Sequence, residues 1–159
     1  MTPIELLDGL KRFTERVLGD MLLPVRVPPD SGERNQRAPK VYLMRLPDKD
    51  AETSQIPYVL YQFLKGEDAQ RAGEPVESSC MVRVVCAVYH EDGQEGGLCL
   101  LNLMTRLRIE LLRAGCIKDA FVLRPELEWL VYPESKPPYY LGEMMTVWDI
   151  PTVESEGFL

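Results

Sequence analysis

A chain of 159 residues with a formal charge of −7 and a pI of about 4.8 is long enough for one domain with a real core. It is too acidic for a general nucleic-acid binder, which needs a basic footprint to displace counterions from phosphates. Its composition, 45% hydrophobic and 27% charged, is that of a soluble globular protein. No apolar run approaches a membrane span, and the N-terminus lacks the basic-then-apolar layout of a signal peptide, so a cytosolic protein is expected.

Thr2-Pro-Ile-Glu5 reads as a helix start, with Thr at the cap, Pro at the first helical position and Glu at the third. Leu6, Leu7, Leu10, Phe13, Val17, Leu18 and Met21 form one stripe, which predicts an amphipathic helix to about Leu22. Glu5, Asp8, Arg12 and Glu15 lie opposite. That face carries both charge signs, which favours a helix packed on its own sheet over a membrane helix. Leu23–Lys40 contains four prolines and the polar run Asp30–Arg37. It is expected to be a mobile loop, or an arm (Val27–Lys40) reaching a neighbour.

Val41–Leu46 reads as a short strand, Pro47–Asp50 as a turn and Ile56–Leu64 as a second strand. In the second, Tyr58, Leu60 and Leu64 face one way while Val59, Tyr61 and Phe63 face the other. Lys65–Ser78, with Glu67, Asp68, Glu74 and Glu77, reads as a solvated loop without a calcium-loop pattern.

The centre of the chain is a strand at Ser79–His90 followed by a helix. Cys80, Val82, Val84, Cys86 and Val88 alternate with Met81, Arg83, Val85, Ala87 and Tyr89. Asp92 is placed as an N-cap with Glu95 three residues on. Leu100, Leu103, Met104, Leu107 and Leu111 form the helix's apolar face, flanked by Leu101 and Leu112, with Gly115 as C-cap. Phe121–Leu123 and Glu126–Tyr132 read as one strand interrupted at Pro125. Pro133–Pro138 is a turn, Tyr139–Pro151 a last strand, and residues 154–159 a flexible tail after a single domain over 1–153.

The expected fold is α+β in the order α-β-β-β-α-β-β, a mostly antiparallel sheet of about five strands with two helices on one face. Two helices cover one face only, yet three strands are apolar on both. Another copy of the chain is the expected cover for the second face.

Chemistry is sparse. His90 sits beside Glu91 and Asp92, but no nucleophile can be placed near it, and a strand-end histidine is ordinarily just solvated. Gly93–Gly97 lacks the Gly-Lys-Ser/Thr ending of a phosphate loop, and Glu95 would repel a phosphate. Glu126, Glu128, Glu143 and Asp149 alternate along two late strands as solvated edge residues do. Cys80, Cys86, Cys99 and Cys116 include no Cys-x-x-Cys pair and read as reduced, buried thiols. The sequence therefore predicts no catalytic residue, no metal site and no cofactor, and favours assembly over catalysis.

Lys40–Pro47, Ile56–Asp68, Tyr89–Gly97 running into Leu100–Ile109, and Pro138–Pro151 together resemble tail terminator (tail completion) proteins of long-tailed bacteriophages and prophages. The likeness spans roughly residues 40 to 153 and rests on a pattern of segments. It implies a subunit that forms a ring, usually of six copies, which caps the tail tube, stops its polymerisation and offers the filled head a docking face. The implied partners are further copies, the tube protein and a head-completion protein, with DNA passing through unbound. The implied location is the virion tail, after assembly in the host cytoplasm. On this reading Tyr58, Tyr61, Phe63, Tyr140 and Trp148 are expected at the ring contacts, since aromatics dominate such patches. Glu67 and Asp68, with Glu74 and Glu77, are expected to face the lumen and keep DNA from adhering. Two alternatives stay open: another head–tail connector or tail-tube component, and a small α+β ligand-binding or enzymatic domain.

Overall fold

The computed structural model describes residues 2–27, 35–47 and 55–157. Among these, two helices and nine strands form an α+β fold: α1 (Pro3–Val17), β1 (Leu23–Pro24), β2 (Gln36–Arg37), β3 (Lys40–Leu43), β4 (Tyr58–Ala69), β5 (Glu77–Tyr89), α2 (Glu95–Ala114), β6 (Cys116–Ile117), β7 (Phe121–Leu123), β8 (Glu128–Val131) and β9 (Tyr139–Asp149). The main sheet runs β3-β4-β5-β9-β7-β6, with β8 also on β9, and β1 and β2 make a separate ribbon.

The start of α1 follows its sequence signals: Pro3 opens it and the Thr2 N–H donates to Glu5 Oε2 at 2.7 Å. The helix stops at Val17, short of the expected Leu22. The Leu18 N–H closes the last turn on the Thr14 carbonyl at 2.9 Å, and Gly19 follows. Met21 and Leu23 still reach the core from beyond the helix. Part of the expected Leu23–Lys40 loop, residues 28–34, lies outside the described residues. Its ends pair as β1 and β2.

Half of the expected loop Lys65–Ser78 is strand. β4 and β5 form one long antiparallel hairpin, with Glu67 opposite Ser79, Asp68 opposite Ser78 and Ala69 opposite Glu77, leaving only residues 70–76 as the turn. Polar composition misled here because a ribbon exposed on both faces needs no apolar alternation; backbone pairing alone satisfies its N–H and C=O groups. A bulge between Phe63 and Lys65 shifts the register, so Leu64 leaves the face it shares with Tyr58 and Leu60 in the sequence pattern.

β3 is parallel to β4, which requires a crossover instead of a tight turn. The connection, of which residues 48–54 lie outside the described residues, places Leu46 and Ile56 against Tyr58, Leu60, Val85 and Ala87 on the side of the sheet away from the helices. β5 and β9 pair over their full common length, Ser79 opposite Asp149 through Tyr89 opposite Tyr139. The strand interrupted at Pro125 is present: β7 and β8 lie in line on β9, bridged by the Arg124 N–H to Val147 O at 2.9 Å.

The core lies between the sheet and both helices. Leu6, Leu7 and Leu10 of α1 and Leu100, Leu103, Met104, Leu107 and Leu111 of α2 cover Val59, Tyr61, Val82, Val84, Cys86, Val88, Met144 and Trp148. Burying each large aliphatic contributes roughly 1.5–3 kcal/mol. The polar atoms trapped there are paired. The Thr14 and Tyr61 hydroxyls share a hydrogen bond. The Trp148 indole N–H donates to Thr146 Oγ1 at 2.8 Å, which in turn donates to Val82 O at 2.8 Å.

α2 begins at Glu95, and Asp92 is not its N-cap; its Oδ1 accepts the Gln94 N–H at 2.9 Å one turn earlier. Gly115 closes the helix in the left-handed region at φ 68°. Leu101 and Leu112 do not flank the buried face. The 100° step carries them to the solvent side, where both are exposed. No helix among the described residues is long and apolar enough to cross a membrane.

Candidate functional site

The side of the sheet away from the helices carries the most structured polar group of the molecule. Residues of odd number on β5 and β9 point there, and the register sets Arg83 beside Met145 and Val85 beside Glu143. Arg83 makes three contacts: Nε to Glu143 Oε2, Nη2 to the Tyr132 hydroxyl, and Nη1 to Gln62 Oε1 at 3.1 Å. The hydrogen bond to Glu143 is the main reason that its pKa lies above the ordinary guanidinium value. Above this group opens a cavity of about 420 Å³, walled by Leu46, Tyr58, Leu60 and Leu141, with Arg45 at its rim. Apolar walls over a fixed arginine–carboxylate pair can orient a polar ligand or a neighbouring chain.

The five aromatics expected at a subunit contact do not share a surface. Tyr61 and Trp148 are fully buried under the helices, Tyr140 lies in the same core, and Phe63 packs against it. Register parity is the reason: Tyr61 sits opposite Val84, Tyr140 opposite Val88 and Trp148 opposite Cys80, all on the helix side. Tyr58 alone lies on the other face. It is buried beside Ile56, with its ring edge-on to Tyr42 at 6.3 Å. The crossover therefore covers part of the face that was expected to need a second copy.

The acidic residues do come together in space, as an arm instead of a loop. Glu67 and Asp68 are on β4, Glu77 on β5 and Glu74 in the turn, all exposed. Asp68 Oδ1 accepts the Ser78 hydroxyl at 2.5 Å. Alternation puts Glu67 and Asp68 on opposite faces of the ribbon.

His90 serves its own turn, its Nδ1 accepting the Asp92 N–H at 3.0 Å. Glu143 is held by Arg83, and Asp149 by Arg124 at 2.7 Å, so these two late-strand carboxylates are not a matched acid–base pair. Glu126 and Glu128 are exposed. No group of three or more His, Cys, Asp or Glu side chains among the described residues is arranged to hold a metal ion. Burial pushes the Cys80 thiol up to about 11 and the Cys86 thiol up to about 12, leaving both protonated at neutral pH.

Two features escaped the sequence reading. Arg83 was legible as a lone charge in an otherwise apolar alternation, a pattern that requires a partner across the sheet. The sequence weighs the glycines of the 93–97 segment as a phosphate loop, but a Cβ on Gly96 would lie 2.1 Å from Tyr140 Cε2. Gly96 lets the tyrosine ring pass under the start of α2. No family model and no curated protein matches this chain.

Proposed function

We propose that the chain is an assembly subunit: copies of it form a ring, of six in the reading suggested by the resemblance, that caps a phage-type tail tube, ends its growth and presents a docking face to the head. The observation that carries this reading is the β4–β5 arm. β9 pairs with β5 only from Ser79 onward and β3 with β4 only to Tyr61, so Lys65–Glu67 form an open sheet edge and only Asp68–Ala69 with Glu77–Ser78 run on past β9 as two strands. Such an edge is open to pairing and two strands alone are marginal in water, and exposed Leu64 on the edge and Val76 at the end of the turn are what a neighbouring subunit would cover. The ring contact thus moves from the five aromatics to the arm. Glu67, Asp68, Glu74 and Glu77 then supply a negative lining that lets DNA pass without adhering. The tube protein and a head-completion protein are the further partners of this proposal, and the virion tail its location.

The test is to replace residues 68–78 by an Asn-Gly turn, which joins the opposed residues Glu67 and Ser79 in register, and to follow mass by light scattering and shape by electron microscopy. Rings from the parent chain and none from the shortened one support the proposal. Rings that form without the arm remove its basis. Assembled rings that retain DNA at physiological salt would overturn the lining role. A ligand-binding reading has the Arg83 cavity in its favour, and a strictly monomeric parent chain that binds a small anion there would replace the assembly reading.

A further inference from the structure

The outer side of α2 leaves a run of apolar side chains open. Leu98 is 59% exposed, Leu101 39%, Ile109 40% and Leu112 40%. At 100° per residue these four and Thr105 fall on one stripe, opposite the face that enters the core. Trp129 and Val131 of β8 lie exposed beside it, with the Arg108 guanidinium 5.4 Å from the centre of the Trp129 ring. Together these side chains expose roughly 450 Å², within the range of about 300–600 Å² of a monomer's largest patch, which is often functional. That is also about the apolar share of one side of a standard interface, which buries about 800 Å² per partner.

The order of residues along the stripe says what fits it. Leu98 and Leu112 stand seven positions either side of Thr105, and Leu101 and Ile109 four either side. An apolar pattern that reads the same in both directions matches its own image when the second helix runs antiparallel. We propose that this face binds a second copy of the chain across a twofold axis at Thr105, setting Leu98 against Leu112 and Leu101 against Ile109 of the other copy. The charges agree. Glu95 in the first turn and Arg113 in the last lie on the same flank of the stripe, so antiparallel pairing brings each Glu95 to the opposite Arg113 twice over. Among the described residues Arg113 is otherwise held only by an i,i+3 contact with Glu110 at 3.5 Å. This pairing does not rest on the ring reading, since it joins two chains whether or not further copies close a ring.

The experiment is sedimentation of the full chain together with cysteine cross-linking. The parent chain should sediment as a dimer at micromolar concentration, and Leu101→Glu should raise the dissociation constant at least 100-fold while leaving the circular dichroism spectrum unchanged, because Leu101 lies outside the core. Thr105→Cys should form a disulfide to its own counterpart under mild oxidant that leaves the parent chain uncross-linked. Leu98→Cys and Leu112→Cys should cross-link when mixed and not when separate. A parent chain that stays monomeric at 100 µM, or a Thr105→Cys chain that associates without cross-linking, would overturn the twofold pairing. Rings without a position-105 cross-link would sink this inference alone, and a cross-linked dimer without rings would sink the ring alone.

Discussion

The two faces of the sheet are built from the same alternating strands but solve the burial problem differently. Under the helices the largest core side chains are dry, and the polar atoms are closed into private pairs, Tyr61 with Thr14 and Trp148 with Thr146. On the other face the crossover supplies Leu46 and Ile56 as a partial cover, and beyond them Arg83, Glu143, Tyr132 and Gln62 stand half-exposed around a cavity. One face is finished by the chain itself; the other keeps polar groups within reach of something else. An apolar strand face does not by itself demand a partner, because Leu46 and Ile56 at the two ends of a connection can cover part of it.

Substitutions can break that contrast, and the largest effect is expected beneath the helices. Trp148→Ala should cost about 3–5 kcal/mol in denaturant unfolding, chiefly through a large cavity, with the Thr146 oxygen also losing its indole donor. Gly96→Ala should cost about 1–3 kcal/mol, because the added methyl meets the Tyr140 ring and the start of α2 must shift. Tyr61→Phe should cost about 1–2 kcal/mol by stranding the Thr14 hydroxyl, and pairing it with Thr14→Val should recover most of that loss.

Alkaline pH tests the same dry face. The Cys86 thiol keeps its proton to about pH 12 in the folded chain, against 9.0 for a free thiol. The folded state therefore binds more protons than the unfolded state between those values. Stability should be flat below pH 9 and fall as pH rises towards 12, by up to about 1.4 kcal/mol per pH unit from this group. Urea midpoints across that range should show the decline, and Cys86→Ala should make it shallower, with the buried Cys80 thiol still contributing. The smallest effect belongs to the open face: Arg83→Gln should change stability by less than about 1 kcal/mol, because its ion pair is part-exposed and screened by water. A loss as large as that of Trp148→Ala would show that this face is as closed as the other.

Much of this molecule was legible in its residues. The two-residue alternation of β5 and β9 and the 3.6-residue stripe of α2 place Val82, Val84, Met144, Leu103 and Leu107 in the core without coordinates, because burial periodicity is a local property of each element. The capping signals at Thr2 and Gly115 likewise act within one turn. What only the tertiary structure decided is non-local. Which strand faces share a side depends on register, and register sent Tyr61 and Trp148 under the helices. Whether Lys65–Ala69 is strand depends on pairing with Glu77–Met81, which composition does not encode. The cover over Tyr58 depends on β3 running parallel to β4, a choice made by the sheet as a whole, since a crossover gains its contacts only once both strands are in place.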